Sequence, residues 1–247
     1  MIRGIYTAAS GMMVEVERTD VIANNLANAG TAGFKGDVAV TKDFAAVLLK
    51  RINDGPEAPY IGSTGAGALV DEVATRQTQG SIRYTGNDLD LAIEGSGFFV
   101  VATPQGQRYT RNGSFTVNSQ GQLVTADGYR VLGQGGPIQL NEGKVAITGE
   151  GQITVDGLPV GQLLLVDFAD SRRLVKEGSS LYAAPEDMAT QPSAGRVIQG
   201  ALEGANVNVV SEMVQLIAAY RAYEINAKTV QTHDQLLDKA VNEVGRV

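Results

Sequence analysis

Apolar residues at both ends of the chain recur at alternating intervals of three and four. Near the start they are Ile2, Ile5, Ala9, Met12, Val16, Ala23 and Leu26, with Thr19 the one polar member of the series. Near the end they are Met213, Leu216, Tyr220, Tyr223, Ala227, Val230, Leu237, Val241 and Val244, interrupted by Asp234. Each residue advances about 100° around a helix, so this spacing lays a narrow stripe along one side and predicts a long helix at each terminus. Asn206 and Asn208 offer N-cap oxygens to the second helix, and Glu212 falls in its first turn, where the helix dipole favours an anion. Further apolar residues lie off the stripes: Val14, Val21 and Ile22 in the first helix, and Val214, Ala218 and Ile225 in the second. One partner helix does not cover two stripes. The surplus is expected to be buried in a core or against other chains, so that the termini gain most of their burial, and order as helices, on assembly.

The texture changes between these ends. Phe44, Val47, Leu48 and Ile52 are spaced as on a helix, which predicts a short helical segment over Asp43–Ile52, and the Gly- and Pro-rich stretch from Asn53 to Ala68 reads as a linker or extended arm. From Leu69 to about Leu202, short runs of Val, Ile, Leu, Phe and Tyr are broken by Gln105-Gly106, Asn112-Gly113, Gln120-Gly121, Asp127-Gly128 and Asp156-Gly157. These pairs tolerate the positive backbone angles of tight hairpins, which predicts an antiparallel all-β domain. The expected fold is therefore α+β: coiled-coil-like terminal helices paired together, with an all-β domain and a linker arm inserted between them. The expected boundaries are 1–30 for the first helix, 31–68 for the short helix and arm, 69–205 for the β-domain and 206–247 for the last helix.

Composition narrows the function classes. The 247 residues include 30 glycines and no tryptophan, in keeping with many turns and few bulky anchors. A formal net charge of -7 lacks the basic field that phosphate binding needs, so no nucleic-acid partner is expected. The absence of cysteine removes disulfides, thiolate catalysis and cysteine-held metals. No run reaches the roughly eighteen apolar residues of a membrane span, and the first twenty or so residues lack the charge and apolar pattern of a cleaved signal. The chain is expected not to be an integral membrane protein and not to be secreted with a cleaved signal.

Candidate chemistry is sparse. His233, the single histidine, is followed by Asp234, but adjacent helical residues do not face each other, so they do not form a base and its orienting carboxylate. Asp88, Asp90 and Glu94 cluster in "NDLDLAIEG", yet Ala92 and Ile93 stand where a calcium loop would want an oxygen ligand and a glycine. Alternating Leu89, Leu91 and Ile93 instead predict a half-buried strand with its carboxylates in solvent. "GSGFF" at Gly95 to Phe99 reads as a turn into a buried strand. Asn24, Asn25 and Asn28 fit either a fraying helix end, with Gly30 as a left-handed stop, or, for Asn24 and Asn28 one turn apart, a pair of amides that bond a neighbouring chain. No catalytic, metal or cofactor site is expected, and an enzyme is the most distant reading.

Certain stretches carry a resemblance. "TAASGM" (Thr7 to Met12), "IANNLAN" (Ile22 to Asn28) and "TAGFK" (Thr31 to Lys35) resemble the N-terminal signature of bacterial flagellar rod and hook proteins, and "GNDLDLAIEGSGFFVV", "YTRNGSFTVNSQGQLVTADGY", "ANVNVV" and "RAYEINAK" resemble the later ones. Length and "RINDG" (Arg51 to Gly55) are most similar to proximal rod proteins, and "ANVNVVSEMVQLI" and "RAYEIN" also to distal ones. Ala29-Gly30 departs from the pattern, where bulkier or more polar residues are expected. The resemblance implies a non-enzymatic subunit of the basal-body rod, exported through the flagellar type III apparatus, whose terminal helices line an inner tube while the β-domain faces outward. Its implied partners are copies of itself, other rod and hook proteins and the surrounding basal-body rings. The interface residues would be Ile5, Met12, Val16, Ala23, Leu26, Met213, Leu216, Tyr220, Tyr223, Val230 and Leu237, with Asn24, Asn25, Asn28, Thr31, Gly33 and Phe34 forming the signature turn. The rival from another class is an extracellular adhesin or fibre module, which the exposed-aromatic candidates Tyr84, Tyr109 and Tyr129 would serve.

Overall fold

The computed structural model describes residues 2–44, 46–50, 60–141 and 143–244. The backbone forms two compact units: one holds residues 1–27, 37–74 and 208–247, the other 28–36 and 75–207, so the chain passes between them at 27/28, 36/37, 74/75 and 207/208.

In the first unit, α1 spans Ile2–Ala27 and α2 spans Val209–Lys239, continued by a π-helical turn over Ala240–Val244. Asn208 caps α2: its backbone is extended and its side chain accepts the Ser211 N–H at 3.0 Å. The two helices pack against each other and run antiparallel, with Gly4 beside His233, Gly11 beside Asn226 and Asn25 bonded to Glu212. The approach is close because the contact line is made of small residues. A β-carbon on Gly4 would stand 2.5 Å from His233 Nε2, and one on Gly11 2.9 Å from Asn226 Nδ2.

The same unit contains β1 (Asp37–Asp43), β2 (Ala46–Lys50), β3 (Tyr60–Gly65) and β4 (Ala68–Thr75), with β1 paired to β4 and β2 antiparallel to β3. This corrects two expectations. The segment read as a short helix is a strand, with Val47 opposite Thr64 and Leu48 opposite Ser63, and the end of the expected arm supplies its partner. The spacing of Phe44, Val47 and Leu48 does not distinguish a helix from a strand when the backbone bonds come from residues a dozen or more positions away. Ile52, like residues 53–59 of the expected arm, lies outside the described residues.

The second unit is built of strands. Those bearing on the site are β5 (Ile82–Tyr84), β6 (Leu91–Glu94), β7 (Phe98–Thr103), β8 (Gly106–Thr110), β9 (Phe115–Val117), β10 (Leu123–Thr125) and β11 (Arg130–Gly133). A ten-stranded sheet runs from Val175–Lys176 through Leu181–Ala183, β8, β7, β11 and β10 to β9, while β6 pairs with Arg196–Gln199 and β5 with Ala201–Glu203. The described pairings in this unit are antiparallel. Strand β7 is covered on both faces: Phe99 and Val101 enter one apolar cluster with Phe115, Leu123 and Ile153, and Phe98 and Val100 enter a second with Phe168 and Tyr182.

Turn chemistry explains much of the connectivity. Asp156 (φ 50°) and Gly157 (φ 81°) form the two-residue loop between Gln152–Val155 and Leu158–Gln162. Asn112-Gly113, read as another hairpin, is a point of close approach instead, since a β-carbon on Gly113 would lie 1.7 Å from the Leu91 carbonyl oxygen. A second correction concerns "NDLDLAIEG". Leu91, Ala92 and Ile93 are all buried, and so is Asp90, which accepts from Thr85 Oγ1 at 2.7 Å and Asn87 Nδ2 at 3.2 Å. Asp88 and Glu94 do face solvent, as expected.

Candidate assembly interface

The α1–α2 contact does not use the bulky stripes. On α1 it follows Gly4, Ala8, Gly11, Ile22 and Asn25, and on α2 it follows Glu212, Ala219, Asn226 and His233. The expected stripe lies one residue further on in each helix, about 100° round. As a result Val16 (48% exposed), Ala23, Met213 (47%), Tyr220 (56%) and Tyr223 (37%) are open to solvent. Ile5, Met12, Leu26, Leu216, Val230 and Leu237 are half-buried along the border. Of the off-stripe residues, Val14 and Ile22 are buried, whereas Val214, Ala218 and Ile225 stand exposed. Each helix thus turns mostly small residues, with Ile22, Glu212 and His233 among them, toward its partner within the chain and leaves Val16, Met213, Val214, Tyr220 and Ile225 exposed.

At the end of α1 the amides have different tasks. Asn25 is buried: its side-chain N–H donates to the Asp37 carbonyl at 2.8 Å, its Oδ1 accepts the Asp37 N–H at 2.8 Å, and the same amide reaches Glu212 at 3.4 Å. This residue, between Asn24 and Asn28, for which bonding to a neighbouring chain is one of two readings, clamps the start of β1 inside its own unit. Asn24 is exposed, and the Asn28 carbonyl accepts the Thr31 N–H at 3.0 Å. Asn206, offered above as a cap, belongs to the second unit, where it accepts the Gly36 N–H at 2.7 Å and donates to the Arg76 and Thr78 carbonyls at 2.7 and 3.0 Å.

The signature turn enters the second unit. Gly33 takes φ 67°, donates its N–H to the Glu203 carbonyl at 2.7 Å, and lies so near the Arg111 backbone that a β-carbon would sit 2.4 Å away. Phe34 is buried under the Lys176 ammonium, 4.3 Å from its ring centre. Beside it Lys35, fully buried, donates to Glu203 Oε1 at 2.5 Å and to the Thr78 carbonyl at 2.8 Å, while Arg111 reaches Glu203 Oε2 at 3.3 Å. Burial pulls both the Lys35 ammonium and the Arg111 guanidinium below their ordinary pKa values, and the Glu203 carboxylate opposes that shift. Lys35, Arg111 and Glu203 escaped the reading of the sequence. No spacing rule links positions 35, 111 and 203, and Arg111 stands in the polar stretch "QRYTRNGS", where nothing marks it out from Arg108.

His233 lies half-buried against Gly4 with its Nδ1 unbonded among the described residues, and Asp234 is exposed. Among the described residues, no group of three or more His, Asp or Glu side chains could hold a metal ion, and no helix is long and apolar enough to cross a membrane.

Three family profiles match the chain in order: "Flagella basal body rod protein" over residues 5–35, "Flagellar hook protein FlgE/F/G D1 domain" over 92–155 and "Flagellar basal body rod FlgEFG protein C-terminal" over 198–243. A flagellar basal-body rod protein FlgF of Caulobacter vibrioides is 36% identical over the whole of both chains. The chain belongs to the flagellar basal-body rod protein family. A rod protein FlgG of the same organism is 37% identical over 95% of this chain and 97% of its own, and the flagellar hook-basal body complex protein FlhO of Bacillus subtilis is 31% identical over all of both. The family is a structural one. Its matched segments hold the features described above: α1 with the signature turn, the strands around β7, and α2.

Proposed function

We propose that this chain is a structural subunit of the flagellar rod that polymerises through α1 and α2 with copies of itself and with neighbouring rod and hook proteins, forming part of the shaft that transmits torque. The observation that carries this reading is the pair of helices whose large apolar residues, Val16, Met213, Val214, Ile217 and Tyr220 among them, face solvent in the single chain. Fully burying such a side chain contributes about 1.5–3 kcal/mol, so each one covered by a neighbouring chain favours assembly. The paired helices wind as a coiled coil in the inner tube, and the chain reaches the basal body through the flagellar export apparatus. Length and the Arg51–Gly55 resemblance favour the proximal segment.

In cells whose only copy carries Tyr220→Asp, isolated basal bodies should lack the chain and motility should be lost. Full motility with the variant would overturn the reading. Immunogold label on wild-type rods tests position: a signal at the inner-membrane end supports the proximal segment, and one beside the hook moves the chain to the distal one. Amide exchange over residues 2–28 and 210–244 should be faster in the dilute chain than after assembly.

A further inference from the structure

Around α2, the side turned away from α1 carries Val214, Ala218, Arg221, Ile225 and Lys228, spaced by three or four residues and therefore forming one line. Val214 is 61% and Ile225 64% exposed. Around α1, the outward line is Met13, Val16, Asp20, Ala23 and Ala27, with the same alternation of intervals, Met13 being 74% and Val16 48% exposed. Each line is apolar or small except for its charges, and the charges are opposite: one anion on α1, two cations on α2. Neither Asp20 nor Arg221 makes an ion pair among the described residues.

We infer that the outward line of α2 docks on the outward line of α1 from a second copy of this chain, in one register fixed by Asp20 against Arg221. This rests on the rod reading. Copies arranged along one filament axis are related by rotation about it and translation along it, which preserve the polarity of each helix along that axis, so an α2 lying along the axis meets a neighbour's α1 antiparallel, as it meets its own. With Asp20 opposite Arg221, Val16 faces Ile225, Ala23 faces Ala218 and Ala27 faces Val214. Met13 then lies along the aliphatic stem of Lys228, whose ammonium stays in water. The alternatives are repelled: α2 on α2 sets Arg221 and Lys228 against their own kind, and α1 on α1 crowds the Asp20 carboxylates. A shift by one turn leaves Asp20 facing Ala218 or Ile225.

The chain has no cysteine, so an introduced pair reports the contact directly. In basal bodies isolated from cells carrying Val16→Cys together with Ile225→Cys, mild oxidation should give a ladder of dimers and higher multimers, because every copy has both halves of the link. Monomer alone, from basal bodies that contain the chain, would overturn the register while leaving the rod reading intact. Absence of the wild-type chain from basal bodies would remove both. Charge exchange is the second arm. Asp20→Arg and Arg221→Asp should each lower incorporation at least tenfold, and the double variant should recover most of it. A double variant no better than either single one, with helix content unchanged by circular dichroism, would refute the pairing.

Discussion

The β-rich unit and the helical unit treat their large side chains in opposite ways. In the first, Leu91, Ile93, Phe99, Val101 and Val131 are fully buried and the charges of Lys35, Arg111 and Glu203 are paired inside. In the second, Val214, Ile217, Tyr220 and Ile225 are each more than half exposed, while the contact between the helices is lined by Gly4, Ala8, Gly11, Asn25, Ala219 and Asn226 together with Ile22, Glu212 and His233. Stability and association are therefore separately adjustable in this chain. One unit completes its core alone, and the other leaves apolar area uncovered, which on the assembly proposed above its neighbours bury.

Substitutions can break or sharpen that contrast. The largest loss of stability should come from Glu203→Gln, which leaves Lys35 and Arg111 buried without their counter-charge. Urea unfolding followed by circular dichroism should show a loss of about 3–5 kcal/mol. Leu123→Ala, a cavity in the main core, should cost about 2–5 kcal/mol in the same measurement. Asn208→Ala removes the cap of α2 and should cost about 1 kcal/mol, read as earlier thermal loss of the helical signal. Val214→Asp should change the stability of the dilute chain by no more than about 0.5 kcal/mol. Yet the same change should abolish sedimentable polymer, because a carboxylate at an apolar contact cannot be desolvated without a partner. If Val214→Asp instead destabilised the dilute chain as much as Leu123→Ala does, the contrast between the units would fail.

The parts of this fold that were legible in the sequence are those specified locally. Periodicity announced α1 and α2, and Asp156-Gly157 and Gln120-Gly121 announced turns, because a helix face or a tight hairpin is fixed by residues within a few positions of one another. The phase of the helix contact was not legible. Hydrophobicity favours Met12, Val16, Met213 and Tyr220, but two backbones come nearest where side chains are smallest, and Gly4, Gly11 and Asn226 carry little apolar weight. Strand β2 was hidden because its partner lies beyond residues 51–59, and the Lys35–Glu203–Arg111 group because its members meet only in the finished fold. Family resemblance, by contrast, was carried by "IANNLAN" and "TAGFK". Their structural meaning emerges in Asn25, which grips the backbone of Asp37, and in Lys35, which is sealed against Glu203.

The backbone passes between the two units four times. A peptide nicked between residues 74 and 75 would stay whole in practice, since its N-terminal piece keeps Lys35 locked to Glu203 in one unit and α1 laid along α2 in the other. For a shaft component the same threading divides the load. Any pull or twist passing from one unit to the other is shared by four covalent strands in parallel, so that no single loop has to act as the drive coupling.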